Sequence, residues 1–299
     1  MMRLGLLANP DAGLGGRLGL KGSDGQAELA RSMGAEDRSG PRLSTMLQHF
    51  SELRRAGFDD IEWLTSEGRM GTDWLPEGAK IGSVSIVHSS SAATSASDTA
   101  EAVAALLEAG IDLLVYAGGD GTTRDIVAAL ESAGQPRTPV IGVPTGVKMH
   151  SGCFAASPKA AAEVLSAWLN DDLLLASTEV LDLDEERYRK GEWVVQLYAE
   201  VMTPASPRWM QGSKQRIEAS GEEDTIEGLA DHIRELLVSD ERLVIWGSGG
   251  TLRAIAEIND FEPTNLGIDA TKGTGQVGAD LDEAGLLELL SSHQGPVTL

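Results

Sequence analysis

Through its first half the chain alternates short apolar runs with stretches whose apolar residues recur every three to four positions. RLGLLA ends at Asn9 and Pro10, which cannot continue a ladder, and so predicts a buried strand. QAELARSMGA and LSTMLQHFSELRRAG carry helical spacing, and the second closes on arginines and Gly57 as a helix C-terminus should. IEWLT and VSIVH are strand-like. The stretch after them opens polar and becomes an amphipathic helix, SSSAATSASDTAEAVAALLEAG, with Ser97 or Asp98 as its expected cap. IDLLVYA is a continuous apolar run of the kind found in parallel strands covered on both faces. A helix from about Thr122, the strand TPVIGVP and a helix over SPKAAAEVLSAWLN extend the alternation.

The second half has a different rhythm. STEVLDLD and EWVVQLYAEVM read as strands joined by a charged turn, and EDTIEGLADHIRELLVSD as a helix. Then ERLVIWGSGGTLRAIAEI repeats the order apolar strand, glycine cluster, helix, followed by a strand and glycine-rich turn in TNLGIDATKGTG and a helix in DEAGLLELLSSH. The predicted class is α/β: a parallel-sheet lobe over residues 1–157 and a mixed lobe over 158–299. A length of 299 residues supports two cores.

Charge narrows the partners. Against 46 acidic residues stand 24 basic ones, a formal net charge of -22, which argues against nucleic acid and against anionic membranes. Acidic residues scattered along the chain, with arginine commoner than lysine, fit a well-solvated surface that resists association or, the sharper expectation, a cytosolic protein from a high-salt organism. Cys153 is the only cysteine, so no disulfide forms within the chain. It is expected to be a small buried side chain. No zinc-type spacing of histidine and cysteine is present, no apolar stretch approaches a membrane span, and the residues from Met1 do not read as a basic-then-apolar leader; the expected location is the cytoplasm.

The candidate chemistry sits in VYAGGDGTTRDI. In an open parallel sheet, ligands bind beyond the carboxyl ends of strands, where a loop enters a helix N-terminus. Gly118, Gly119 and Gly121 stand at that junction, where their amides can approach an anion. A phosphate suits such a loop. Asp120 would repel it unless a metal or a proton in transit lies between, and both belong to phosphoryl transfer. Arg124, one turn along, could face the developing charge. The plainer alternative is a tight turn whose aspartate caps a helix.

GGDGT, Gly118 to Thr122, is the signature shared by NAD kinases and diacylglycerol-type lipid kinases, with a related motif in phosphofructokinases. Together with NPDAGLGGRLGLKGSDG, GVPTGVKMHSGCFA, EVLDLDEERYRKG and GSGGTLRAIAEI, in that family's order, it makes the chain resemble the ATP-NAD kinase/AcoX-like family. The resemblance implies a parallel-sheet lobe like that of NAD kinase and phosphofructokinase, ATP and Mg2+ as cosubstrate and cofactor, NAD as acceptor and a homo-oligomer. ATP and the dinucleotide would share a cleft between two lobes. It also implies that Asp120 orients or deprotonates the acceptor hydroxyl, that Gly118, Gly119, Gly121, Thr122 and Thr123 surround phosphates, and that Asn9 is the asparagine of the first-strand loop. The Asn-Glu pair of typical NAD kinases is replaced here by GVKMHSG, in which Lys148, His150 and Ser151 are the candidate contacts.

Further candidates are Arg17 and Lys21, cations in the first glycine-rich loop, and the second strand-to-helix junction of Gly247, Gly249, Gly250 and Thr251. The expected function is ATP-dependent phosphorylation of the 2′-hydroxyl of NAD. A nucleotide sensor without catalysis and a kinase for another hydroxyl are the alternatives.

Overall fold

The structure is a computed structural model that describes residues 1–14, 27–53, 60–90, 94–145, 149–183, 195–206, 210, 222–237, 242–264 and 267–299. These residues fall into two compact units, and the division comes after Met210, not at residue 157. Each unit has its own cores.

In the first unit, strands β1 (Met2–Ala8), β2 (Ile61–Ser66), β3 (Ser83–His88), β4 (Leu113–Gly118) and β5 (Val140–Pro144) form one sheet in the order β3-β2-β1-β4-β5. Every pairing is parallel. Helices cover both faces, and the strand alternation shows why the runs are continuously apolar. Leu4, Leu6, Leu113, Val115 and Ala117 enter one core with α2 (Ser39–Leu53) and α5 (Pro158–Leu169). Leu7, Leu114 and Tyr116 enter the other with α3 (Ala96–Glu108) and α4 (Asp120–Ser132). A short α1 (Ala27–Ser32) precedes these. Helix α2 buries Leu43, Met46, Leu47 and Phe50, a single stripe at i, i+3, i+4 and i+7. Phe50 meets Trp63 edge to face at 5.9 Å, a contact worth about 1 kcal/mol beyond its buried area.

Two helix starts differ from the sequence reading. The cap of α3 is Ser95, not Ser97 or Asp98: the Asp98 carboxylate accepts from both the amide and the hydroxyl of Ser95, each at 2.8 Å. Helix α4 begins at Asp120 with Gly119 as its N-cap, two residues before Thr122, because Gly119 has the extended backbone of an N-cap and aspartate suits a first turn.

β6 (Leu175–Leu183) and β7 (Val195–Pro204) pair antiparallel. Val180 and Val201 complete the second core of this unit, and Thr203 Oγ1 donates to the carbonyl of Val140 at 2.8 Å. These contacts tie the pair to the parallel sheet and move the division past residue 157.

The second unit is a mixed sheet in the order β10-β9-β8-β11, with β8 at Leu243–Trp246, β9 at Ile268–Lys272, β10 at Gly275–Leu281 and β11 at Val297–Thr298. Strands β8 and β11 run parallel, whereas β9 is antiparallel to both of its neighbours. Helices α6 (Glu222–Leu237) and α7 (Gly250–Ile258) pack around Trp246, and α8 (Glu283–Ser292) packs on Leu243, Ile245 and Ala270. Among the described residues no helix is long and apolar enough to cross a membrane.

Candidate functional site

The first sheet grows from β1 to β3 in one direction and resumes at β4 on the other side of β1, so the direction in which strands are added reverses between β1 and β4. At such a switch point the loops leaving the two strands diverge and leave a crevice beyond their carboxyl ends. The two motifs singled out from sequence, at Asn9 and at Gly118 to Thr122, both lie there.

Asn9 spans the switch point. Its amide donates to the carbonyl of Ala117 at 2.9 Å, its Nδ2 donates to Thr122 Oγ1 at 2.9 Å, and its Oδ1 accepts from the amide of Asp11 at 3.0 Å. Asn9 thereby holds the β1 loop against the first turn of α4. Gly118 is needed for this closeness: a Cβ there would lie 2.6 Å from Thr122 side-chain atoms. Beside Gly119, by contrast, a Cβ would meet nothing within 4 Å among the described residues. That open space adjoins the first-turn amides of α4, which have no intrahelical acceptor. An anion can approach the helix dipole there. On the far side the amide of Thr145, just past β5, donates to the carbonyl of Gly118 at 3.2 Å.

Asp120 faces inward. It is buried, and both of its oxygens accept: Oδ2 from the amide of His150 at 2.7 Å, and Oδ1 from the amide of Ser151 at 3.0 Å and the hydroxyl of Ser151 at 2.6 Å. Ser151 Oγ also accepts from the amide of Leu181 at 3.1 Å, which links the loop after β5 to β6. Burial raises the carboxyl pKa of Asp120 above the usual range, opposed by the hydrogen bonds from Ser151 and His150. A carboxylate tuned upward in this way is a better proton acceptor than a free one.

Other candidates have different places. Thr123 is fully buried; its hydroxyl pairs with Tyr116 at 2.5 Å and donates to the carbonyl of Gly119 at 3.1 Å. Its place is therefore in the core and not around a phosphate, because the α4 stripe that packs on the sheet begins there. Arg124 Nε lies 3.7 Å from Asp125 Oδ1 on the same helix. His150 and Ser151 are buried beside Asp120. Gly247, Gly249, Gly250 and Thr251 belong to the second unit, where Gly249 adopts a φ of 155° to cap α7 and Thr251 is exposed. Arg17, Lys21 and Lys148 lie outside the described residues. Sequence reasoning missed Thr145, whose only signal was its place directly after a predicted strand.

Cys153 lies fully buried 3.3 Å from the Tyr116 hydroxyl, and burial pushes its thiol up to about 12. It is expected to resist maleimide in the folded protein and to react on unfolding; rapid labelling of native protein would contradict this placement.

A doubly covered parallel sheet with a glycine-rich strand-to-helix junction at its switch point defines a phosphate- or nucleotide-binding α/β domain. Residues 40–173, a little under half of the chain, match the ATP-NAD kinase N-terminal domain. That segment, which runs from α2 past α5 and contains Gly118 to Thr122 and His150 to Ser151, is similar to the N-terminal domain of the NAD kinase family. No curated protein is significantly similar to the chain. The domain is thus of kinase type.

Proposed function

We propose that the protein transfers a phosphoryl group from ATP to the 2′-hydroxyl of NAD. The observation that carries this reading is the placement of Asp120 at the opening of α4, next to the open face of Gly119, within the segment that matches the family. The acceptor oxygen forms a bond to the γ-phosphorus, the bond from that phosphorus to the ADP oxygen breaks, and the hydroxyl proton passes to the Asp120 carboxylate. The first-turn amides of α4 stabilise charge on the transferring group. Within the second unit, Gly247, Gly249, Gly250 and Thr251 are proposed as nucleotide contacts of their own loop, and in the first unit Arg124 is proposed as a counter-charge.

Among the described residues no cluster of three carboxylate, histidine or cysteine side chains forms a cage for a metal. Both Asp120 oxygens are already engaged, so magnesium fits as an ion carried chiefly by the nucleotide phosphates, where it neutralises their charge.

One observation favours a second reading, a nucleotide-binding protein without catalysis: the hydrogen bonds at both Asp120 oxygens also suit a purely structural tie. A single assay separates the two. NAD, ATP and magnesium are incubated with the protein at low and at molar potassium chloride, and NADP and ADP are quantified. Equal amounts of both products are expected, with activity retained at molar salt because hydrated carboxylates dominate the surface. NAD binding with no ATP consumed would establish the second reading, and ADP without NADP would point to another hydroxyl.

A further inference from the structure

Among the described residues, Arg38, just before α2, and Arg42, in its first turn, have no carboxylate partner of the kind that neighbouring cations have. Arg31 pairs with Asp11 at 2.6 Å and lies 3.5 Å from Asp37, and Arg69 is also bound to Asp37. Among the described residues no carboxylate lies within ion-pair distance of Arg38 or Arg42, in a chain with 46 acidic residues. The two arginines are close enough for their like charges to act on each other. Arg42 is held in place, because its Nε donates to the carbonyl of Pro144 at the carboxyl end of β5. Burial and the charge of Arg38 both lower its pKa.

Two enclosed hydroxyls adjoin these arginines. Ser39 follows Arg38 and is fully buried; Thr145 follows Pro144 and is 6% exposed. Neither Ser39 Oγ nor Thr145 Oγ1 has a hydrogen-bond partner among the described residues. Buried hydroxyls are normally paired, so two orphans beside two uncompensated cations mark a place for an acceptor-rich anion. Gly13 shows that the two ends meet: a Cβ there would lie 2.4 Å from the carbonyl oxygen of Thr145 and 3.7 Å from Cβ of Arg38.

We propose that Arg38 and Arg42, with the hydroxyls of Ser39 and Thr145 and the amides of Ser39 and Gly40 that open α2, form a second anion subsite at the carboxyl end of β5 that binds a phosphoryl group. That the anion is a phosphoryl group of the bound nucleotide rests on the kinase reading; the subsite itself does not. The fork of a guanidinium and the positive end of a 15-residue helix both match such an oxyanion.

The test is calorimetric titration of the whole chain with sodium pyrophosphate in low-chloride buffer. Wild type is expected to bind it. Arg38→Gln, a partly exposed position outside the apolar stripe, is expected to weaken binding at least about tenfold with an unchanged melting curve. Arg42→Lys, which keeps the charge and loses the fork, should weaken it similarly; if loss of the Pro144 contact unfolds that variant, Thr145→Val takes its place. Absence of binding in wild type, or wild-type affinity in Arg38→Gln, overturns the subsite. Arg38-dependent pyrophosphate binding without NADP formation in the kinase assay would instead remove the NAD kinase reading and leave the subsite standing.

Discussion

Asp120→Asn is expected to abolish most turnover and to loosen the loop after β5 together with it. The amide side chain must place its NH2 against a backbone donor, because one carboxylate oxygen accepts from His150 and the other from Ser151. One buried donor is left unpaired, at about 1–3 kcal/mol. The variant therefore does not leave the fold untouched, and its loss of rate cannot by itself assign a proton-transfer role. Loss of a positioned base typically slows a reaction by about 10²–10⁴-fold. Ser151→Ala supplies the control, since it keeps both backbone amides on Asp120 and removes the hydroxyl, whose bond to Asp120 is lost together with the one it accepts from the amide of Leu181. It is expected to retain turnover with the acid limb of its pH profile moved upward, because the Ser151 hydrogen bond favours the charged carboxylate. Wild-type turnover in Asp120→Asn would end the proposal that Asp120 is the base. An unmoved acid limb in Ser151→Ala would show that another group titrates in the assay.

The sign of the linkage gives a related expectation. Asp120 has a raised pKa in the folded protein, so its contribution to stability is complete below the unfolded carboxylate value and is lost as pH rises through the folded value. Acid unfolding of this protein therefore does not originate at Asp120.

Gly13→Ala is expected to be strongly destabilising and to weaken phosphate binding. Gly13 has a φ of 81°, which costs an alanine about 1–2 kcal/mol, and the added Cβ would stand 2.4 Å from the carbonyl oxygen of Thr145. Backbone cannot yield as a side-chain tip can, so the β1 loop must lift from β5, and the total loss should exceed about 2 kcal/mol. Gly34→Ala isolates the first effect: Gly34 has a φ of 87°, and among the described residues nothing lies within 4 Å of a Cβ placed there, so it incurs the backbone strain alone. Urea midpoints of the two variants give the comparison. Equal losses would mean that the contact with Thr145 is not made in solution.

Much of the local structure was legible. Strands β1, β4 and β5 announced themselves as short apolar runs because both of their faces are covered, and α2 did so through its i, i+3, i+4, i+7 stripe. Strand β10 did not, since it is glycine-rich and mostly exposed and so has no burial to impose a pattern. The α3 cap was misplaced by two or three residues because serine and aspartate recur at Ser95, Ser97 and Asp98, and only geometry distinguishes a cap from its N3 partner.

Within the site, the glycines and Asp120 could be named in advance because the conformations that glycine permits and the chemistry of a carboxylate are properties of single residues. What Asp120 touches could not be named. Its partners lie 30 and 31 residues away, Asn9 reaches Thr122 across 113 positions, and Arg42 reaches Pro144 across 102. Periodicity carries information over a few residues, enough to specify each strand, helix and glycine junction, together with an acidic chain able to build two cores. The order of strands in the sheet, set by how all the apolar faces are buried at once, is what placed the switch point between β1 and β4, turned Asp120 inward and brought two arginines to the end of β5.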